Sequence, residues 1–536
     1  MHYTIKTLLE RVLQTEVILE HPKDRSLGHY ASVVAFPLAK VYKKPPKIIA
    51  LELVDRLLED EECQAVFAKI EALNGYINFT LKESFLDRFC NQALKLGVDF
   101  GKEADKNESL YLEFVSANPT GPLHIGHARG AIFGDSFGNL ARFLGYRVHT
   151  EYYVNDLGAQ IKLLGLSLWL AICEMQHLKV EYPTEYYRGA YINELAQKAL
   201  EHFPDLNNND PNLYATLGDF AKEVVLAQIE QSLADLGIVI ENYASERAMF
   251  AHQEEVFKRL EQAGGVYEFE GKRWLKSSMF GDEKDRVIRK NDGDFTYIAG
   301  DITYHDYKFK QGFDHYINIF GADHHGYVAR IKAALEFLGY EAQKLEVLLV
   351  QMVALLQNGK PYKMSKRAGN SVLLSDVLED MGKDALRFVF LSKKLDTHLE
   401  FDIASLQKQD SSNPIFYIHY ANARIHTMLE KFFQKPNTSL QAILSSSLEN
   451  LPESGGALLF NALNLPKILQ TAFQDRELQK ICDYLKGLAA DFHSFYNAYR
   501  ILDTPQELPY LKLCQMVSLS LTIGLKLLGI EAKRKM

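Results

Sequence analysis

Residues 113–127 read Glu113-Phe-Val-Ser-Ala-Asn-Pro-Thr-Gly-Pro-Leu-His-Ile-Gly-His127. The lead-in from Leu110 to Val115 is apolar and β-prone, prolines and a glycine then predict a tight turn, and helix-compatible residues begin near His124. In an open parallel sheet such a junction lies at the carboxyl edge, where ligands bind and where the N–H groups of the new helix face an anion. His124 and His127 lie three residues apart on one face of that helix start, so they could hold a polyphosphate.

The composition is that of a soluble globular protein with three or four domains. The chain has 536 residues, of which 47% are hydrophobic and 24% charged, and its formal charge is -9. An acidic total argues against non-specific nucleic-acid binding, although a local basic face remains possible. Five well-separated cysteines without a C-x-x-C pair predict reduced, buried thiols and no zinc site. We expect a cytoplasmic protein with no signal peptide and no membrane span.

The patterns predict an α/β fold in three regions. Residues 1–105 alternate helical and β-like pieces, which indicates a small α+β domain. Residues 106–380 indicate a doubly wound, Rossmann-like parallel sheet with a helical insertion at about 160–260; the β-rich pattern resumes at Gly265 and includes 292–301. Residues 381–536 are nearly all helical, which indicates an all-α bundle.

Two basic segments could contact phosphates. Lys363-Met-Ser-Lys-Arg367 lies between glycines, and dense cations there predict a mobile phosphate-binding loop; a solvated turn is the alternative for an isolated basic loop. The run from Lys40 to Lys47 is likewise either a backbone contact or a solvated turn. No P-loop, dinucleotide fingerprint or nucleophilic triad is recognisable. The remaining chemistry is electrostatic, with the histidines and the lysine loop clamping a triphosphate from two sides.

The carboxylates predict which substrate lies beside that triphosphate. Glu113, Asp156 and Asp301 fall at or near strand ends around one edge, and Tyr297 precedes Asp301 by one helical turn or two strand repeats. A carboxylate accepting two parallel N–H bonds matches a planar guanidinium, a geometry that a lysine ammonium does not reproduce. Capping or surface pairing is the alternative role for these acids.

His124-Ile-Gly-His127 and Lys363-Met-Ser-Lys-Arg367 together resemble the paired signatures of class I aminoacyl-tRNA synthetases. The whole chain resembles the arginyl-tRNA synthetase family within that class. Besides residues 113–127, the segments that carry this resemblance are Tyr153–Asp156, Phe280–Arg286, Thr296–His305, Asp384–Arg387 and Asn413–Ile425.

The resemblance implies an arginine–tRNA ligase. Such an enzyme uses ATP as a substrate, with Mg²⁺, to join L-arginine to tRNA(Arg) through an arginyl-adenylate, and it releases AMP and pyrophosphate in the course of protein synthesis. Residues 1–105 would then be a tRNA-contacting domain, 106–380 the class I catalytic domain and 381–536 the anticodon-binding domain. We expect a monomer with no metal ligands of its own, and activation that depends on bound tRNA.

The resemblance also assigns site residues. The arginine α-amino group would be held by Ser116 and Asn118, and the guanidinium by Glu113, Tyr297 and Asp301. His124 would lie toward the arginine carboxylate. The residues assigned to ATP are His124, Gly126, His127, Lys363, Met364, Ser365 and Lys366, of which the two histidines and two lysines would be catalytic.

The sequence differs from the family pattern at two positions, and two alternative functions remain. Some members of the family have Gln where this chain has Ala322, and the lysine loop ends in Arg367 rather than the commoner Ser. Another class I synthetase is one alternative, although a cysteinyl enzyme would be expected to gather thiols around zinc. A catalytically silent RNA-binding paralogue is the other, and the intact histidines and lysines argue against it.

Overall fold

The computed structural model describes residues 1–115, 117–206, 210–362, 372–410 and 412–536. Its amino-terminal region is an antiparallel sheet with strand order β1-β2-β4-β3, covered by helices. Asn74 and Gly75 form the β3–β4 hairpin with φ of 54° and 90°, which an Asn-Gly pair adopts with little strain. The elements are α1 (His2–Leu13), β1 (Leu19–Glu20), β2 (Tyr30–Ser32), α2 (Ala35–Tyr42), α3 (Pro46–Glu59), α4 (Glu61–Val66), β3 (Phe67–Leu73), β4 (Tyr76–Leu81) and α5 (Glu83–Leu96).

The central region holds a five-stranded parallel sheet with helices on both sides. Its strand order is β12-β11-β5-β6-β7, so the direction of winding reverses between β5 and β11. The bounds are β5 (Ser109–Glu113), α6 (Ile125–Phe143), β6 (Arg147–Val154), α7 (Ala159–Met175), α8 (Ala190–His202), α9 (Leu213–Asp235), β7 (Asn242–Ser245), α10 (Glu246–Phe250), α11 (Gln253–Gln262), β8 (Val266–Phe269), β9 (Lys272–Leu275), β10 (Arg286–Arg289), α12 (Tyr297–Lys310), β11 (His315–Gly321), α13 (Val328–Phe337) and β12 (Leu345–Val350). The predicted doubly wound fold is confirmed.

The strand–turn–helix unit predicted at residues 110–127 is present as β5, a turn and α6. The helix packs closely on the strand end, since a Cβ at Gly134 would lie 2.3 Å from the Phe114 ring. Parallel sheets bind ligands where the winding reverses, outside the carboxyl ends of the strands. The site is therefore expected at the ends of β5 and β11.

Two details of the central region differ from the sequence prediction. The range predicted as a helical insertion, about 160–260, also contains β7, which pairs with β6 in the main sheet. The β-rich pattern predicted through Asp301 is wrong after Thr296, because α12 begins at Tyr297. Ile298, Ile302 and Phe309 are spaced to share one helix face, and burying them favours the helix over an extended segment.

A small sheet and a helical bundle complete the chain. The sheet has the order β14-β13-β15 and leads into the bundle. These elements are β13 (Val353–Gln357), β14 (Lys360–Pro361), α14 (Leu374–Met381), α15 (Lys383–Leu391), β15 (Leu399–Asp402), α16 (Ile403–Leu406), α17 (Pro414–Phe433), α18 (Leu440–Ser445), α19 (Glu453–Leu463), α20 (Leu465–Gln474), α21 (Gln479–Ala498) and α22 (Glu507–Leu527). Helix α22 is long and apolar enough to span a membrane, but 72% of its apolar window is buried inside the protein.

A buried arginine joins the bundle to the parallel-sheet region. Arg387 Nε donates to the Leu528 carbonyl at 2.7 Å, Nη1 donates to the Leu236 carbonyl at 3.0 Å, and Nη2 pairs with Asp135 on α6. Gly529 lies directly against the guanidinium, where a Cβ would approach Nη2 to 2.1 Å. One side chain thus fixes the end of α22 on the helix that begins with the histidine pair.

The amino-terminal region also contacts the bundle. The Tyr30 hydroxyl donates to Asn464 Oδ1 at 3.2 Å, and the His29 ring lies 4.6 Å from the Phe460 ring. His29 Nδ1 accepts from the Leu81 backbone N–H at 3.0 Å, so that nitrogen is unprotonated. The contact between the two regions therefore includes a histidine held neutral.

Candidate active site

His124 and His127 lie together at the start of α6. Their rings stack with centroids 3.6 Å apart and planes 24° from parallel. His124 Nδ1 accepts from the Gly126 backbone N–H at 3.2 Å, and the His124 backbone N–H lies 3.5 Å from His127 Nδ1. Both acceptor nitrogens are Nδ1, so in each neutral ring Nε2 carries the proton and can donate to a bound group.

The histidine pair is uncharged. Burial lowers the pKa of His124, and burial together with His124 lowers the pKa of His127 to about 3. Two imidazolium rings at this separation would repel each other strongly in a partly buried place. The pair therefore offers N–H donors and the helix start to an anion, and leaves the positive charge to another segment.

The residues that follow the predicted phosphate loop in the sequence lie beside the histidines. Ile125 donates its backbone N–H to the Val372 carbonyl at 3.0 Å, Leu374 donates to the Leu123 carbonyl at 3.0 Å, and His124 and Leu373 form an antiparallel bridge. The residues predicted for the phosphate loop, Lys363, Met364, Ser365 and Lys366, lie outside the described residues, as does Arg367. The first described residues after that loop are thus paired with the histidine segment.

Strand β5 ends in a strained turn. Val115 has φ of 93°, a value that β-branched residues rarely adopt and that costs about 1–3 kcal/mol. Tyr152 donates its hydroxyl to the Ala117 carbonyl, and Tyr191 donates to the Thr120 carbonyl at 3.2 Å, which fixes the turn from two sides. Asn118 is exposed on this turn. Ser116, the other residue predicted to bind the amino group, lies outside the described residues.

Asp301 and Tyr297 lie one turn apart on α12. Tyr297 is 89% exposed at the first position of the helix, whereas Asp301 is partly buried and accepts a hydrogen bond from the Tyr327 hydroxyl. Burial, followed by the charges of Glu246 and Glu113, raises the pKa of Asp301 well above its usual value. An acid surrounded by acids favours a cationic ligand, whose arrival would relieve the repulsion.

Glu113 is buried at the end of β5 and is already paired. Its Oε2 accepts from Lys308 Nζ at 2.7 Å. Burial raises the pKa of Glu113, and the ammonium opposes that rise. Of the predicted guanidinium residues, Glu113 and Asp301 are therefore close enough to interact electrostatically, but one of the two carries an internal counter-ion.

Glu246 is a site residue that the sequence prediction missed. It begins α10 directly after β7, its carboxylate hydrogen-bonds Tyr153, and a Cβ at Gly300 would lie 2.9 Å from its Oε1. Burial raises the pKa of Glu246, as it does for Asp301. Glu246 could have been found as a carboxylate at the carboxyl end of a strand. It was missed because the residues of β7 were assigned to the helical insertion.

Asp156 holds the ends of two strands together. Its Oδ2 accepts from Ser245 Oγ at 2.7 Å, its Oδ1 accepts from the Arg247 backbone N–H at 2.9 Å, and Lys222 Nζ lies 3.6 Å away. These contacts fit the alternative role of Asp156, in which the carboxylate caps and pairs with neighbouring protein groups and does not bind substrate. Ala322, at the position where some family members have Gln, begins a 3₁₀ turn directly after β11.

Metal ligands are not gathered in the described part of the chain. Among the side chains that the structure describes, no group of three or more His, Cys, Asp or Glu could hold a metal ion. All five cysteines are buried and separate from one another.

Three family models match the chain from end to end. Residues 2–81 match the arginyl tRNA synthetase N terminal domain, residues 90–421 match tRNA synthetases class I (R), catalytic domain, and residues 418–536 match the DALR anticodon binding domain.

Relatives of known activity are similar over the full length. The chain is 56% identical over 540 residues to an arginine–tRNA ligase of Helicobacter pylori strain Shi470, with 100% of this chain and 99% of the relative covered. It is 54% identical over 537 residues to an arginine–tRNA ligase of Wolinella succinogenes, with both chains fully covered. The Thermus thermophilus arginyl-tRNA synthetase structure, at 21% identity, matches the fold with a TM-score of 0.79 and covers both chains fully.

Proposed function

Since the chain belongs to the class I arginyl-tRNA synthetase family, we propose how its residues carry out that family's reaction. The enzyme ligates L-arginine to its cognate tRNA at the expense of ATP, through an arginyl-adenylate, and releases pyrophosphate and AMP. The observation that supports our assignment best is the backbone pairing of the histidine segment with residues 372–374. It brings the histidine segment next to the residues that follow the lysine loop, which lie more than 200 residues further along the sequence.

ATP lies at the start of α6 in this proposal. His124 and His127 supply neutral Nε2–H donors to the phosphates, and with Gly126 they form the positive end of the helix that faces them. Lys363 and Lys366, with Met364 and Ser365, supply the charge from the opposite side. Charge that builds on the triphosphate as pyrophosphate leaves would be stabilised from two directions.

Arginine lies between β5 and α12. Asp301 and Tyr297 face the guanidinium, with Glu113 beneath them, and we add Glu246 as a further carboxylate of the same pocket. Ser116 and Asn118 hold the α-amino group, and His124 lies toward the carboxylate. A side chain that is neutral, or that cannot donate two parallel N–H bonds, would leave buried carboxylates unsatisfied, at a cost of about 1–3 kcal/mol for each lost partner.

The chemistry needs no covalent enzyme intermediate. An arginine carboxylate oxygen attacks the α-phosphorus of ATP and pyrophosphate leaves, which gives the adenylate. A hydroxyl of the terminal adenosine of tRNA then attacks the arginyl carbonyl carbon and AMP leaves. Mg²⁺ is part of the proposal as an ion carried mainly by the triphosphate; its oxygen preference fits phosphate ligands.

The domain roles and surroundings also belong to the proposal. Residues 1–105 and 381–536 contact tRNA, and 106–380 form the catalytic domain, with activation dependent on bound tRNA. We propose a cytoplasmic monomer that does not insert into membranes; the burial of α22 inside the bundle supports the last point.

Pyrophosphate exchange with each of the twenty amino acids, with and without total tRNA, tests the proposal. We expect exchange with arginine alone, and only when tRNA is present. Exchange supported by cysteine or lysine would contradict the guanidinium pocket. Absence of exchange with every amino acid would favour the silent RNA-binding paralogue.

A further inference from the structure

Lys308 lies where the parallel sheet changes its direction of winding. Glu113, the last residue of β5, and Asn318 on β11 are register partners there. Lys308 comes from α12 and is fully buried, and its Nζ donates to both Glu113 Oε2, at 2.7 Å, and Asn318 Oδ1. One ammonium group therefore joins the two strands at the edge where arginine is expected.

A chain of hydrogen bonds continues from Lys308 to Asp301. A lysine can only donate, so Asn318 accepts through Oδ1 and donates through Nδ2 to His305 Nε2 at 2.9 Å. His305 then carries its proton on Nδ1, which donates to the Asp301 backbone carbonyl at 2.8 Å. Because Lys308 can only donate, the donor and the acceptor of each later hydrogen bond in this series follow. Glu113 and the helical turn that carries Asp301 are thus connected through buried groups.

The surroundings make the ammonium hard to replace. The rings of Tyr111 and Tyr304 lie 5.1 and 5.0 Å from Nζ, within the range of cation–π attraction. The titratable groups that interact with Glu113 include the carboxylates of Glu151 and Asp301, Lys308 itself, and the hydroxyls of Tyr111, Tyr153 and Tyr304. Among the side chains that the structure describes, Lys308 alone forms an ion pair with Glu113. Without Lys308, Glu113 would stay buried near Glu151 and Asp301 and would lose this ion pair.

We propose that Lys308 is a positioning residue for arginine recognition, which pairs with Glu113 and holds Glu113 and Asp301 in fixed relation through Asn318 and His305. Lys308 is fully buried and its Nζ donates to Glu113 and Asn318, so in this proposal it acts through those side chains and does not touch the substrate. It acts on the arginine side of the site and leaves the ATP side, at the start of α6, unaffected. The inference rests on the proposed roles of Glu113 and Asp301.

The test compares Lys308→Met, Lys308→Arg and the double variant Glu113→Gln/Lys308→Met with the unmodified enzyme. Lys310→Met is the matched control, because Lys310 lies on the same helix with its side chain 45% exposed and paired with Asp306. KM values for arginine and ATP, and the pH profile of kcat/KM for arginine, are measured by pyrophosphate exchange with tRNA present. Unfolding temperature is recorded for every variant.

For Lys308→Met we expect KM for arginine to rise about tenfold or more, with KM for ATP within about threefold. The acid limb of kcat/KM for arginine should move to higher pH by about one unit or more, because Glu113 would be buried without its counter-ion. Lys308→Arg should restore part of the profile. If Lys308→Met does not fold, the double variant should fold, because it removes both charges, and should lack the shifted limb.

Equal losses for arginine and ATP with an unmoved pH limb would overturn the inference, since a purely structural lysine would give that result. So would arginine kinetics that match the Lys310→Met control. Asp301→Asn, measured in parallel, separates this failure from that of the proposed function. If Asp301→Asn impairs arginine use and Lys308→Met does not, only the role of Lys308 is wrong.

Discussion

The backbone N–H of Ile125 donates to the carbonyl of Val372 at 3.0 Å. One residue earlier, His124 bridges to Leu373, and one residue later in the partner segment Leu374 donates to the Leu123 carbonyl. The start of the histidine helix is therefore paired with the residues that follow the lysine loop. If this pairing positions the start of the histidine helix for catalysis, activity should respond to changes in those backbone bonds.

Replacing Leu374 with proline tests this connection. Leu374 is the first residue of α14 and Leu373 has extended backbone, so proline fits there and the helix itself needs no N–H from that position. The bond to Leu123 is lost. Leu374→Ala is the matched control, because it removes the buried side chain and keeps the N–H. We expect kcat for adenylate formation to fall about tenfold further in the proline variant, with KM for arginine little changed. Equal rates in the two variants would show that the pairing does not position the site.

Arginine binding should release protons. Burial and the charges of Glu246 and Glu113 raise the pKa of Asp301 in the free enzyme, and a bound guanidinium should lower that pKa. Arginine binding therefore releases a proton from Asp301, and the affinity for arginine falls as the pH falls toward and below the raised pKa. Titration calorimetry in buffers of different ionisation enthalpy measures the release. Asp301→Asn should abolish it. An unchanged release in that variant would assign the proton to another group.

The contact between the amino-terminal region and the bundle should weaken in acid. Burial and His21 lower the pKa of His29 from 6.5 to about 4. Between about pH 6.5 and pH 4, His29 is protonated in the unfolded chain but stays neutral in the folded protein. The free energy of unfolding therefore falls as the pH falls through this range. The slope is at most about 1.4 kcal/mol per pH unit from this residue. Denaturant unfolding across that range measures it. His29→Asn keeps an acceptor for the Leu81 N–H without titrating and should give a shallower slope; an identical slope would contradict the assignment.

Removing the Arg387 side chain should destabilise the protein strongly. Arg387→Met leaves Asp135 and two backbone carbonyls without their partner, and breaking a buried pair costs about 3–5 kcal/mol. Arg500→Met is the control, because Arg500 is 74% exposed and its ion pair should contribute about 1 kcal/mol or less. Chemical unfolding of both variants makes the comparison. Similar losses in the two would mean that Arg387 does not join the regions as described.

Local patterns predicted the fold and the position of His124 and His127 at the start of α6. The segment at 113–127 carries its own strand, turn and helix signals, so β5 and the position of His124 and His127 follow from neighbouring residues alone. The pairing of Lys308 with Glu113 spans 195 residues and depends on helix α12 crossing the strand ends, which no local pattern contains. Strand β7 was missed for a related reason: it is only four residues long and lies between helices, so its neighbours dominate the pattern.

The arginine roles of Glu113, Tyr297 and Asp301 and the ATP roles of the histidines and lysines stay predictions. The structure places Tyr297 and Asp301, predicted for arginine, and the histidines, predicted for ATP, on different helices, so one variant from each group should be tested side by side. Asp301 belongs to an acidic pocket on α12, whereas the histidines lie at the start of α6, so changes on the two sides should separate kinetically.

The measurement that tests the account most directly is the kinetics of tRNA-dependent pyrophosphate exchange for Asp301→Asn beside Lys366→Ala. We expect Asp301→Asn to raise KM for arginine about tenfold or more with KM for ATP nearly unchanged. Lys366→Ala should slow adenylate formation with a modest effect on KM for arginine. Arginine kinetics that are unchanged in Asp301→Asn would contradict the guanidinium assignment on which the account depends.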